Sequence, residues 1–96
     1  MEPIRFTWDP RKDASNQAKH GVSFSEAKTV FHDAYARIIP DPDHSITEER
    51  FVILGMSSKA RLLIVCHCHR AHASEIRIIS ARKATKSETN NYKRWY

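Results

Sequence analysis

The chain has 96 residues, 41% of them hydrophobic, with two glycines, four prolines and a net charge of +5. That length supports a single domain with one modest core, and the composition excludes a disordered or repetitive chain. No apolar run approaches the roughly 20 residues that span a bilayer, and the N-terminus lacks an apolar core of signal length, so a cytoplasmic protein without membrane contact is expected.

Ile4 to Trp8 alternates apolar and polar residues and predicts an edge strand with Ile4, Phe6 and Trp8 turned inward. Asp9-Pro10 supplies a helix cap followed by proline at the first helical position, and Gly21 supplies the left-handed stop, which together predict a helix to about His20. Ser23 with Glu26 three residues later predicts a capping box opening a second helix, whose buried stripe is Phe24, Ala27, Val30 and Phe31. Tyr35 to Ile39 reads as a strand, and Pro40 to His44 as an exposed turn.

Glu49 to Met56 and Arg61 to His67 read as strands joined through Ser57 to Ala60, hence an antiparallel hairpin. Glu75 to Arg82 reads as a central strand that extends the hairpin into a meander. In an unbroken strand Arg77 points to the face opposite Ile76, Ile78 and Arg82 unless a bulge intervenes. Each guanidinium therefore needs a carboxylate partner or a functional groove. From Lys83 onward Thr85 and Glu88 form a second capping box, with Tyr92 and Trp95 as apolar contacts of a C-terminal helix. The expected fold class is α+β: a twisted, mainly antiparallel sheet with two N-terminal helices on one face and a C-terminal helix returning over an edge.

Charge is unevenly placed. Residues 1–60 carry eight basic and nine acidic side chains, net −1, whereas residues 61–96 carry eight basic and two acidic, net +6. A basic last third suits a polyanion, either nucleic acid or an acidic protein. Cys66 and Cys68 stand one residue apart in a strand-like run, which disfavours a bridge between them and indicates free thiols in a reducing compartment. His67, His69 and His72 lie beside them, but strand alternation separates histidines from cysteines, so no metal site is expected.

The chain has no P-loop, no G-x-S-x-G and no H-E-x-x-H, which removes support for nucleotide hydrolysis, acyl transfer and metalloproteolysis. Cofactor-free RNA cleavage asks only for cations at the phosphate, an acceptor for the 2′-OH proton and a donor to the 5′-oxygen, all within reach of Arg, Lys and His. Lys19 and His20 at a helix end read equally as dipole-capping cations, and Glu49-Arg50 as a general base or an ion pair.

Several strings resemble the BrnT family of bacterial ribonuclease toxins: Phe6 to Pro10 with Lys12 and Asn16, Lys19 to Ala27, Glu49-Arg50 ahead of Gly55-Met56-Ser57, and Ile76 to Thr85. The resemblance covers nearly the whole chain in order. It implies a RelE-like fold and metal-independent cleavage of messenger RNA that halts translation. It also implies neutralisation by a ribbon-helix-helix antitoxin, BrnA, through which operator DNA is reached. By matching position Lys19, His20, Glu49, Arg50, Arg77, Arg82 and Tyr92 fall in the family's motifs, with His67 and Arg70 in a segment particular to this chain. The expected catalytic set is Arg77 and Arg82 on the phosphate, His67 or else Glu49 as base, and Lys19 or His20 completing the charge. Arg50, Arg70, Lys83, Lys86 and Tyr92 are the expected RNA contacts. A non-catalytic RNA-binding module and a subunit that binds an acidic partner remain as alternatives.

Overall fold

The structure is a computed structural model that describes residues 3–40, 50–70 and 74–93. The turn expected at 41–44, Glu49, His72 and Trp95 lie outside the described residues. Strand β1 (Arg5–Thr7) is shorter than its alternation implied. Phe6 and Trp8 pack against the core as expected, but Ile4 is exposed.

Helix α1 (Pro10–His20) begins where the Asp9 carboxylate accepts the Arg11 amide at 2.8 Å and ends at Gly21, whose φ of 68° is the left-handed conformation that glycine adopts without strain. Helix α2 (Phe24–Ala27) is a single turn that continues as a 3₁₀ turn, Lys28–His32. Its expected capping box is only half formed. Ser23 Oγ accepts the Glu26 amide at 3.0 Å, but the Glu26 carboxylate turns inward instead of back to the cap. There it accepts from the Ser57 hydroxyl at 2.7 Å and from Arg61 Nε at 2.9 Å, with a second contact from Arg61 Nη2. The Arg61 donors hold this carboxyl below its ordinary range against the opposing effect of burial. A buried acid is thus paired, and the pair fastens α2 to the hairpin at Ser57 to Arg61.

The remaining strands are β2 (Arg37–Pro40), β3 (Arg50–Met56), β4 (Leu62–Arg70) and β5 (Glu75–Lys83). They form one five-stranded sheet in the order β1-β5-β4-β3-β2. The β2–β3, β3–β4 and β4–β5 pairs are antiparallel, and β1 joins β5 in parallel, so the sheet is mixed. One face of it is buried: Ile53, Leu63, Val65, Ile78 and Ala81 meet Val22, Phe24, Ala27 and Val30. Asn16 of α1 reaches that face, its amide donating to Val22 O and Ala81 O at 2.8 Å and accepting from the Ala81 amide at 3.1 Å. Gly55 lets the 3₁₀ turn close on β3, because a Cβ there would stand 2.7 Å from Val30 Cγ1.

Helix α3 (Lys86–Lys93) closes the described chain. The capping box expected at its start forms in both directions, Glu88 N–H to Thr85 Oγ1 at 3.2 Å and Thr85 N–H to Glu88 Oε1 at 2.8 Å. Farther along, the Tyr92 hydroxyl donates to Asp33 Oδ2 at 2.6 Å, tying the helix to the loop after the 3₁₀ turn.

Candidate functional site

An irregularity between β4 and β5 decides where the charges go. Cys66 is paired with Ser80 and His67 with Ile78, so Ile79 has no partner across the ladder. An extra residue reverses the alternation beyond it. Ile76 and Ile78 point into the core before the bulge and Ala81 after it. Arg77 and Arg82, which an unbroken strand would send to opposite faces, therefore share the face away from the core.

Cross-strand partners lie on the same side of a sheet, so the register lays this face out in rows. Arg37, Leu54, Ile64 and Arg82 form one row across β2, β3, β4 and β5. Ile39, Val52, Cys66 and Ser80 form the next. Arg50, Cys68, Arg77 and Thr7 form the third, and Arg70, Glu75 and Arg5 the last. Among the described residues this face gathers arginines from all five strands, opposed by Glu75 from the sheet and Glu88 from α3.

The carboxylates hold particular arginines. Glu88 receives Arg82 in a bidentate pair, Nη1 to Oε1 at 2.8 Å and Nη2 to Oε2 at 3.0 Å. Arg82 chiefly, with the Thr85 backbone, pushes the Glu88 carboxyl down to about 2, and the same bond raises Arg82. Glu75 receives the Thr7 hydroxyl at 2.7 Å and Arg5 at 3.4 Å. Arg77 is half-buried and has no hydrogen-bond or ion-pair partner among the described residues, and Arg70 is exposed and equally unpaired. A guanidinium kept half out of water without a protein anion is suited to an anion from outside, and its planar donors match phosphate oxygens.

The other expected site residues are placed differently. His67 follows the core-facing parity of Leu63 and Val65 and is fully buried, edge-on to Phe31 with ring centroids 4.8 Å apart. Burial pushes its pKa down to about 4. It is a neutral ring sealed from RNA, not an accessible base. Lys19 and His20 end α1 in the helical layer, off the arginine face. Lys83 is paired with Leu63 and so lies off that face as well, exposed at the strand end. Lys86 is exposed at the start of α3. Tyr92 is 2% exposed and anchors α3 to Asp33, so it offers no ring face for stacking. Cys66 and Cys68 lie on the arginine face and are not joined by a disulfide.

Sequence reasoning passed over Arg37, Thr7, Glu75 and Asn91. The polar positions of the Ile4-to-Trp8 alternation and the arginine preceding Ile38 were visible as outward-facing strand residues, but nothing local told which strand would lie beside β5. Asn91 carried no signal, because its place depends on how α3 docks. No helix among the described residues is long and apolar enough to cross a membrane.

The family model for "Ribonuclease toxin, BrnT, of type II toxin-antitoxin system" matches residues 8–88. Among curated protein sequences none matches the chain. A solved structure, the Brucella abortus ribonuclease toxin BrnT, superposes with a TM-score of 0.68 at 21% identity, covering 86% of this chain and 99% of that one. At that identity the likeness speaks for the fold alone.

Proposed function

The chain belongs to the BrnT ribonuclease toxins of type II toxin–antitoxin systems, and from that premise we propose that the arginine face is the surface on which it cleaves messenger RNA. The observation that carries the reading is Arg77: half-buried, without a protein partner among the described residues, and in one row with Arg50 beside Arg70. Arg77 binds the scissile phosphate and stabilises the charge that builds on it as the 2′-oxygen attacks and the bond to the 5′-oxygen breaks, leaving a 2′,3′-cyclic phosphate and a 5′-hydroxyl that takes its proton from solvent. Arg50 and Arg70 hold the flanking phosphates. Arg82 is oriented by Glu88 and lends charge at the edge of the site. The proton acceptor is assigned to Glu49, next in the chain to Arg50, since His67 is enclosed. No step in this scheme calls on a metal.

In the cell this activity would stop translation in the cytoplasm, with the whole chain acting as one RelE-like toxin domain. A BrnA-type ribbon-helix-helix antitoxin would hold it silent and contact operator DNA on the operon's behalf. The purified chain is expected to cleave RNA in excess EDTA. Arg77→Ala is expected to lose about 10²–10³ in rate, as for removal of one charge-stabilising donor, with an unchanged circular dichroism spectrum. Cleavage that depends on added divalent metal, or an Arg77→Ala chain that cleaves at the wild-type rate, would overturn the assignment. Binding of RNA by the wild type with no cleavage would leave only a nucleic-acid-binding module.

A further inference from the structure

We propose that the cleft between the arginine face and α3 is a subsite for a single nucleobase, with Asn91 as the side chain that reads it. The inference deepens the ribonuclease reading and rests on it for the identity of the polymer. The cleft measures about 300 Å³ and has an apolar floor made by Ile39, Val52, Leu54 and Ile64. These residues come from adjacent rows of the sheet, so the floor is a flat aliphatic patch with few polar atoms of its own. One wall is polar, with Asn91 and the Arg82–Glu88 pair along it, and Arg37 lines the cleft at its β2 end.

That division suits a planar aromatic ring with a polar edge. A base removed from its stack is held by apolar contacts on its faces and hydrogen bonds on its edge. Its volume places the cleft at the small end of ligand pockets, sized for one ring system. Asn91 follows Glu88 by three residues, so both look out from the same side of α3. The Glu88 carboxylate is already committed to Arg82 and to the Thr85 amide. The Asn91 carboxamide has no partner among the described residues, which leaves a donor and an acceptor side by side for a base edge.

Position links this cleft to the phosphate site. Arg50 and Val52 lie two residues apart on β3 and on the same face, a separation of about 6.7 Å. That is comparable to the reach from a phosphate to the base of its own nucleotide. A strand whose phosphate sits at Arg50 and Arg77 can therefore lay the attached base over Val52 and Ile39. Sequence preference would then arise at the cleft, and cleavage at the arginines.

The test compares wild type, Asn91→Ala, Ile39→Trp and Arg77→Ala. Asn91 and Ile39 are exposed, so these changes leave the core intact. Affinity is read by fluorescence anisotropy for four 2′-O-methyl RNA oligonucleotides that resist cleavage and differ in one central base, and cut sites are mapped on a random-sequence RNA. Wild type is expected to prefer one base by roughly tenfold, within the discrimination of one amide–base contact. Asn91→Ala should bring the four affinities within about threefold and broaden the cut sites. Ile39→Trp, which narrows the cleft, should lower the favoured affinity most, and Arg77→Ala should weaken all four alike. Equal affinities in wild type, or an unaltered preference in Asn91→Ala, would overturn the inference. So would a loss of antitoxin binding in both cleft variants with base preference intact, which would make the cleft a protein site. The ribonuclease reading fails separately, by absence of wild-type cleavage while base preference in binding persists.

Discussion

His67 shows how far the surroundings of one side chain override its chemistry. Its Nδ1 lies 3.3 Å from Val65 O, its Nε2 has no partner among the described residues, and its ring stands between Phe31 and Phe51 with His69 beside it. Burial therefore keeps it neutral, with a pKa of about 4 against an ordinary 6.5. The unfolded chain takes up a proton as pH falls below 6.5, whereas the folded chain does not until about 4. Stability is thus complete above pH 6.5 and is lost progressively down to about 4, by a few kcal/mol. His67→Phe removes both the titration and an unsatisfied nitrogen from an aromatic environment. Its melting temperature is expected to change less between pH 7 and pH 5 than that of wild type, and RNA cleavage at pH 7 to be retained. A wild-type slope preserved in His67→Phe would assign the titration elsewhere, and a loss of cleavage with an intact fold would return the histidine to the reaction. The sequence showed a histidine on a strand; which face was inward became clear only with the neighbouring helices in place.

Helix α3 illustrates the same dependence for a whole element. Eight residues, Lys-Ser-Glu-Thr-Asn-Asn-Tyr-Lys, are short and poor in strong helix formers, so the segment would be marginal alone. Its capping box was legible at Thr85 and Glu88, as were the limits of α1 at Asp9-Pro10 and Gly21, because these signals act within a few residues. The parallel pairing of β1 with β5 and the bulge at Ile79 were not, because they express register between segments far apart in sequence. The bulge made the site legible only in part: both arginines of β5 were conspicuous, and their common face was not. What stabilises α3 is tertiary, namely the Arg82–Glu88 pair and the Tyr92–Asp33 hydrogen bond. Glu88→Gln and Tyr92→Phe are each expected to speed hydrogen exchange of the α3 amides by about tenfold, the effect of roughly 1.4 kcal/mol in local opening, with β4 unchanged. Because the Glu88 carboxyl is held down to about 2 against an ordinary 4.5, its contribution is complete above pH 4.5 and lost as pH falls through about 2. Uniform exchange across α3 and β4 in both variants would mean that the helix opens only with the whole fold.

For the molecule as a whole, the basic excess of residues 61–96 reaches the arginine face through Arg70, Arg77 and Arg82, with Arg50 of β3 in the row of Arg77, whereas Arg61 is held by Glu26 and Lys83 lies off that face. On the proposed reading, RNA and a silencing antitoxin would both be drawn to the field of the arginine face. A partner carrying acidic residues gains speed of association from that field even where the final contacts are apolar, since steering acts before contact. Exposed charges have their interaction screened beyond about 10 Å at 0.1 M salt and about 3 Å at 1 M. The association rate of toxin and cognate antitoxin is therefore expected to fall steeply as ionic strength rises from about 0.05 M to about 0.5 M, with the dissociation rate changing much less. Reversal of two exposed cations, Arg70→Glu with Lys86→Glu, should lower the rate at low salt and flatten its salt dependence, leaving the high-salt rate near that of wild type. Stopped-flow measurement of both proteins at several salt concentrations separates this from apolar docking. A rate flat in salt and indifferent to the reversal would place the antitoxin away from the arginine face, and the exposed Tyr35 and Ile38 near the β2 edge would then be the surface to mutate next.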